Sequence, residues 1–327
     1  MFDANILYSH TVDIPTICVG NLSAGGAGKT PHVIYLAKEL SKTIHVAVLL
    51  RGYRRKTSGF ILVNDDSTVS QVGDEALMLH QLLPDIPVAV SEYRVKGIKM
   101  LKKQYPELEA VILDDGFQHR QLKCGYYILL TPYDKLYVND HLLPYGTLRE
   151  PVNAALRANT IVVTKCPEDL RPIDQRVIVS SLKPYPFQTL VFSKCTYRQP
   201  YPLYPELAEP LGDIKLRPLV LTGIVHPEYI YRDLESKNIE FAKLAFPDHH
   251  KFTKSDSKKI EELYKTSHAN CILTTEKDAE RLRACQYLSD RIKKIIYILP
   301  MQIELLNKSN LFINPIIAYV TENNRDR

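Results

Sequence analysis

The chain has 327 residues, 45% apolar and 24% charged, which is enough to build about two domains with real cores. No run of about 18 apolar residues is present, so a membrane-spanning helix is not expected, and residues 1–5 lack the basic-then-apolar order of a signal peptide. A net charge of +5 suits an anionic substrate or membrane surface but not nucleic acid, and six scattered cysteines with no Cys-x-x-Cys pair argue against zinc or a disulfide scaffold and fit a reducing cytosol.

In chain order, residues 14–20 read as a buried strand ending in a glycine-rich turn, and 31–40 as a helix. A second apolar run covers 45–50, a helix 74–83, a short strand 88–90 and a basic helix 95–104. Lys96, Lys99, Lys102 and Lys103 on that helix face either anionic lipid or water. Further strands are expected at 110–113, 126–130 and 159–164. Continuous apolar strands separated by helices predict an α/β fold: a mostly parallel sheet covered by helices on both faces. From about 183 to 211 the texture turns Pro- and Tyr-rich, read as a linker with one strand at 189–192. A smaller α/β pattern follows, with strands at 219–222, 271–274 and 295–299, helices at 227–236 and 254–267, and a frayed tail at 322–327. The domains are thus expected at 1–188 and 213–327, joined by a linker at 189–212.

The strongest chemical signal runs from Gly20 to Thr30. A strand leads into a loop containing Ser23, Gly25, Gly26, Ala27 and Gly28, and the loop opens a helix at Lys29 and Thr30. Glycines let backbone N–H groups turn inward around phosphate oxygens, and the helix N-terminus adds partial positive charge. Lys29 then reaches the β- and γ-phosphates, and the Thr30 hydroxyl holds Mg²⁺. The strict phosphate-loop pattern puts Gly where this chain has Ser23. A second apolar strand ends in Asp114 and Asp115, the place where such proteins keep the acid that orders Mg²⁺, although paired aspartates also serve as plain turn residues. Asp74 opens a helix and is either its N-cap or a general base. His249 and His250 lie on a loop of the second half, as surface residues, a metal pair, or with one of them catalytic; no third ligand is near them in the sequence, which argues against zinc. Arg51 and Arg149 follow strand or turn signals and either clamp phosphate or are solvated surface charge.

Together these residues resemble the tetraacyldisaccharide 4'-kinase family of lipid A biosynthesis. The resemblance rests on Val19 to Leu22, Gly28 to Pro31, Arg51-Gly52-Tyr53, Gly73-Asp74-Glu75, the string from Asp114 to His119, Leu148 to Pro151, Leu221 to Ile224, Asp248-His249 and Thr274 to Asp278, in the family's order from about 14 to 300. The family has Ser or Thr at the place of Ser23. The resemblance implies a P-loop kinase of Gram-negative bacteria that uses ATP and Mg²⁺ to phosphorylate the 4'-hydroxyl of a tetraacylated glucosamine disaccharide 1-phosphate. It implies a cytoplasmic enzyme, peripheral at the inner face of the inner membrane, with no nucleic acid and no obligate protein partner. Lys29 and Thr30 become the phosphate and Mg²⁺ contacts, and Asp114 and Asp115 take metal and catalytic duty. Asp74 accepts the hydroxyl proton with His249 as its partner, the smaller domain closing over the site. Arg51, Tyr53, Gln118, His119, Arg149 and Glu150 line the cleft. Members usually carry an N-terminal apolar helix, for which the 13 residues before Ile14 leave no room.

Two rival readings have specific gaps. A P-loop GTPase expects Asp-x-x-Gly after the acidic strand, whereas Leu113 stands three residues before Gly116, and Thr164-Lys165-Cys166-Pro167 is not a clean guanine reader. A nucleotide-dependent scaffold at the membrane would bind nucleotide without transferring phosphate.

Overall fold

The structure, a computed structural model, describes residues 8–209, 211, 216–306 and 309–325. The expectation about the N-terminal 13 residues therefore falls largely outside it, at 1–7. The chain forms two compact units: Met1–Cys195 with Ile303–Arg327, and Thr196–Gln302.

The first unit is built on β1 (Thr16–Asn21), every residue of which is buried. It is followed by α1 (Lys29–Leu40), β2 (Val46–Leu50), the two-residue β3 (Ile61–Leu62), α2 (Val69–Val72) and α3 (Asp74–Leu82). Next come β4 (Val88–Val90), α4 (Arg94–Gln104), β5 (Ala110–Asp114), β6 (Tyr126–Pro132), β7 (Thr160–Thr164), α5 (Pro172–Leu182) and β8 (Thr189–Tyr197). The second unit holds β9 (Tyr201–Pro202), β10 (Pro218–Thr222), α6 (Glu228–Ser236), β11 (Ala242–Ala245) and α7 (Lys254–Thr266). It continues with β12 (Cys271–Thr274), α8 (Glu276–Arg283), α9 (Asp290–Lys293) and β13 (Ile296–Ile298). The chain then returns to the first unit through β14 (Met301–Leu305) and α10 (Asn310–Arg325).

The first sheet has nine strands in the order β14-β8-β7-β6-β1-β5-β2-β4-β3. From β8 to β4 all neighbours are parallel, and β3 pairs antiparallel against β4. Because successive side chains of a strand point to opposite faces, β1 feeds two cores. Ile17 and Val19 pack with Val33, Leu36 and Leu40 of α1 and with Phe312 and Ile316 of α10. Cys18 packs on the other face with Phe117 and with Ile98 and Leu101 of α4. β1 lies between β5 and β6, so the connections after β1 and β5 leave the sheet side by side at their C-terminal ends, the crevice where open parallel sheets bind ligands. The second unit has its own five-stranded sheet, β11-β10-β12-β13-β9, parallel except for β9.

The divisions differ from those read from texture. The stretch expected as a linker holds β8, which pairs with β7 in the main sheet, and β9. The strand expected at 189–192 is the first part of β8, where Val191, Phe192 and Ser193 are buried. The last part of the chain, expected in the second domain, belongs to the first unit, and residues 322–325 continue α10 where fraying was expected. Phe312, Ile313, Ile316 and Val320 give α10 one buried stripe, which holds the helix despite Pro315 and a polar last turn.

Candidate active site

The loop between β1 and α1 carries the phosphate-loop residues. Gly28 caps α1 at φ 83°, ψ 29°, a left-handed conformation that only glycine adopts readily. Ala24, Gly25 and Gly26 are exposed, while Ser23 and Ala27 are buried beneath them. Thr30 is partly exposed in the first turn. The rim is held from one side by residues 147–149: Ala24 N donates to Thr147 O at 2.7 Å and Arg149 N to Leu22 O at 2.7 Å. The loop after β5 approaches equally closely. A Cβ on Gly20 would lie 2.5 Å from Phe117 Cβ, so glycine is required there to let the acidic loop lie against β1.

Asn21, the last residue of β1, is the hub of the site. Its Oδ1 accepts from Lys29 Nζ at 3.1 Å and from Arg149 Nη2 at 2.7 Å, its Nδ2 donates to Ser23 O at 2.6 Å, and its carbonyl accepts from Gln118 Nε2 at 2.8 Å. Asn21 was not singled out in the sequence. A polar Asn ending an otherwise apolar strand, a residue strands disfavour, is the signal that could have found it.

The two aspartates have different surroundings. Asp115, at φ 51°, turns its carboxylate to Lys29 at 3.5 Å and Arg149 at 3.3 Å. Burial works to raise its pKa, but those two cations outweigh burial and hold it below the usual carboxylate value. Asp114 is 4% exposed, and its Oδ1 has no hydrogen-bond partner. Burial, reinforced by the negative charges of Glu75 and Asp115, pushes its pKa up to about 7 against the pull of Lys29 and Arg94. Arg94 is buried beside it, donating to Ser91 O and, at 3.5 Å, to Asp114 O. An orphaned carboxylate oxygen at the end of a strand beside a phosphate loop is a donor suited to a divalent cation. Mg²⁺ at such loops takes one or two protein oxygens, with phosphate and water supplying the rest.

Asp74 is buried at the first position of α3, and its Oδ1 accepts from Glu75 N at 3.0 Å. The cap itself is Gly73 at φ 91°, so the N-cap reading of Asp74 is replaced by a first-turn carboxylate. Arg51 and Tyr53 are both exposed or nearly so, and Gly73 approaches the Tyr53 carbonyl. His119 is held neutral: burial, then the charges of Arg94 and Arg51, lower its pKa to about 4. Glu150 is turned aside, accepting at 2.8 Å from Arg157, whose guanidinium stacks on Phe117 at 4.5 Å.

In the second unit, His249 stands at φ 58° on the loop after β11. Lys277 Nζ is 3.1 Å from its Nε2 and 3.5 Å from Asp248 Oδ1. His250 is engaged structurally: its Nε2 meets Asp256, part of the α7 capping box, at 2.9 Å, and its ring stacks on Phe246 at 4.6 Å. Behind them Asp278, fully buried, accepts from Gly223 N at 3.0 Å and Thr275 Oγ1 at 2.7 Å and pairs with Arg281.

A glycine loop at the switch point of a parallel sheet, with Lys and Thr opening the following helix and an acid pair on the neighbouring strand, defines a P-loop phosphotransferase fold and site. The family model for tetraacyldisaccharide-1-P 4'-kinase matches residues 1–318. A tetraacyldisaccharide 4'-kinase of Bacteroides thetaiotaomicron is 42% identical, covering all of this chain and 90% of that protein. One from Flavobacterium johnsoniae is 39% identical over 99% of this chain and 92% of its own length. Among solved structures, LpxK of Aquifex aeolicus, in complex with ATP, superposes with a TM-score of 0.72 at 28% identity over 98% of this chain and 92% of its own. The chain belongs to the tetraacyldisaccharide-1-P 4'-kinase family.

Proposed function

We propose that this protein transfers the γ-phosphate of ATP to the 4'-hydroxyl of a tetraacylated glucosamine disaccharide 1-phosphate. The observation that carries the reading is the convergence of Lys29 and Arg149 on both Asn21 and Asp115 at the mouth of the phosphate loop, in a chain of this family. Phosphoryl transfer needs little covalent help from the protein; it needs the groups positioned and the developing charge neutralised. The amides of Gly28 and Lys29 would receive the phosphates, with the Lys29 ammonium moving from Asp115 to the γ-phosphate. Mg²⁺, held by Asp114 and Thr30, would neutralise charge on the phosphates; Asp114 is preferred to Asp115 because its Oδ1 is the orphan.

Asp74 would accept the proton of the attacking hydroxyl. His249, with Lys277 donating to its Nε2, would be the partner of that base. Arg51, Tyr53, Gln118, His119 and Arg149 would line the acceptor cleft, His119 as a neutral hydrogen-bonding group. Glu150 would act at one remove, by holding Arg157 over Phe117. Among the described residues no helix is long and apolar enough to cross a membrane, and attachment at the inner face of the inner membrane would be peripheral.

The test is transfer of label from γ-³²P-ATP to tetraacyldisaccharide 1-phosphate in detergent with Mg²⁺. Label in the lipid with wild type, and a loss of at least 100-fold with Lys29→Ala, is the expected result. ATP binding by wild type without any lipid labelling would refute the acceptor assignment.

A further inference from the structure

His32 is one turn into α1, 1% exposed, and plays no part in the chemistry above. Its Nδ1 lies 2.7 Å from the Gly28 carbonyl and its Nε2 2.9 Å from Ser193 Oγ, a fully buried hydroxyl on β8. A carbonyl can only accept, so Nδ1 carries the proton and Nε2 accepts from Ser193. Burial also lowers the imidazole pKa to about 4, so the ring is neutral and this tautomer is the one present near neutral pH. One residue earlier, Thr164 Oγ1 at the end of β7 donates to the Ala27 carbonyl at 3.0 Å.

Two successive carbonyls of the phosphate loop are thus tied down by side chains from β7, α1 and β8. A trans peptide points its N–H opposite to its C=O. Fixing the Ala27 and Gly28 carbonyls therefore fixes the directions of the Gly28 and Lys29 N–H groups, away from the protein interior. Pro31 has no donor at the third position of the helix and His32 N is turned to Gly28 O, so the amides before them carry the loop's contact with phosphate. Gly28 itself, at φ 83°, has no intrinsic preference that would hold its peptide planes in place.

We propose that His32, oriented by Ser193 and assisted by Thr164, is a positioning residue that presets the phosphate loop, so that the Gly28 and Lys29 amides are aimed at the nucleotide before it arrives. This rests on the reading of the loop as an ATP site. A preset loop saves the ordering cost of binding, so the effect is expected in nucleotide affinity and in KM for ATP more than in kcat.

The experiment is MgATP titration of the full-length protein by calorimetry, with KM, kcat and melting temperature for each variant. His32→Phe keeps the ring volume and removes both hydrogen bonds; it should weaken ATP binding tenfold or more with a smaller change in kcat. His32→Asn places an amide nitrogen where Nδ1 stands and should recover most of the affinity. His32→Gln places its nitrogen at the Nε2 position and should not. Ser193→Ala, which leaves His32 in place, should weaken binding about threefold and keeps the test open if His32→Phe does not fold. A helix residue with only a packing role would lower the melting temperature in all these variants without separating Asn from Gln. Equal ATP affinity for Asn and Gln, or wild-type affinity in Ser193→Ala, overturns the proposal. Absence of ATP binding in wild type would overturn the nucleotide reading itself, a distinguishable result.

Discussion

The two adjacent aspartates show how far one strand end can separate two identical side chains. Asp115 is stabilised as a carboxylate by Lys29 and Arg149, while Asp114 is buried with an unpartnered oxygen and a pKa near 7. In metal-free protein, between about pH 4 and pH 7, native Asp114 keeps a proton that the unfolded chain has released. Folding stability from this group is therefore present below the ordinary carboxylate value and declines as pH rises to about 7. Asp114→Asn removes that cost: in EDTA the variant should melt above wild type at pH 8 and match it near pH 4, while losing kinase activity. A variant that melts with wild type at pH 8 would show that Asp114 is ionised at no cost. Asp74→Ala tests a different role. It should lower kcat by at least 100-fold with the ATP dissociation constant within about twofold, since a general base contributes on the order of 10²–10⁴; turnover near wild type would exclude it as the base. At this scale the sequence marked Lys29, Thr30 and the acid pair by residue type and spacing, and the structure brings Lys29 within 3.5 Å of Asp115. It was silent on His32, because its meaning depends on Ser193, 161 positions away.

Elements were legible where burial writes a clean period. The strands 88–90 and 271–274 coincide with β4 and β12, and α1, α3, α4 and α7 begin or end within about two residues of expectation. α5 was missed because only Ile178 and Leu182 are buried while Ile173, Val177 and Val179 are exposed, so no single apolar stripe marks it. α8 was missed because its buried residues include Asp278, Glu280 and Arg281, which read as surface until their partners are seen. Short strands such as β3 and β11 carry too few residues for periodicity to register. The contact between β1 and the loop after β5 gives a prediction of its own. Gly20→Ala should cost about 1–3 kcal/mol in urea denaturation, because the new methyl meets Phe117 Cβ in a packed core. An unchanged midpoint would mean that the acidic loop yields without cost.

Two units with separate sheets and separate cores should respond separately to ligand. The phosphate loop, its lysine and the acid pair all lie in the first unit, so nucleotide should raise that unit's melting transition first. At 100 times the dissociation constant the gain is about 2.7 kcal/mol, and each kcal/mol shifts a unit of this size by roughly 2–4 °C. Calorimetry with a non-hydrolysable ATP analogue should show it; equal shifts of a single transition would mean that the units unfold together. The domain-scale texture misled because composition marks where a chain changes character, not where it returns. Nothing in residues 303–325 looks like the first unit until Phe312 and Ile316 are seen against the α1 face of its core.

That return has a consequence for how the protein is made. The second unit, Thr196–Gln302, is inserted between β8 and β14, which are neighbours in the main sheet. A ribosome therefore releases the phosphate loop early and the strand and helix that complete its unit last. At typical rates of synthesis, about 5–20 residues per second, some 15–60 seconds separate the two events. Throughout that interval the apolar surface later covered by α10 is uncovered. The unit that would hold ATP is the first to be started and the last to be finished.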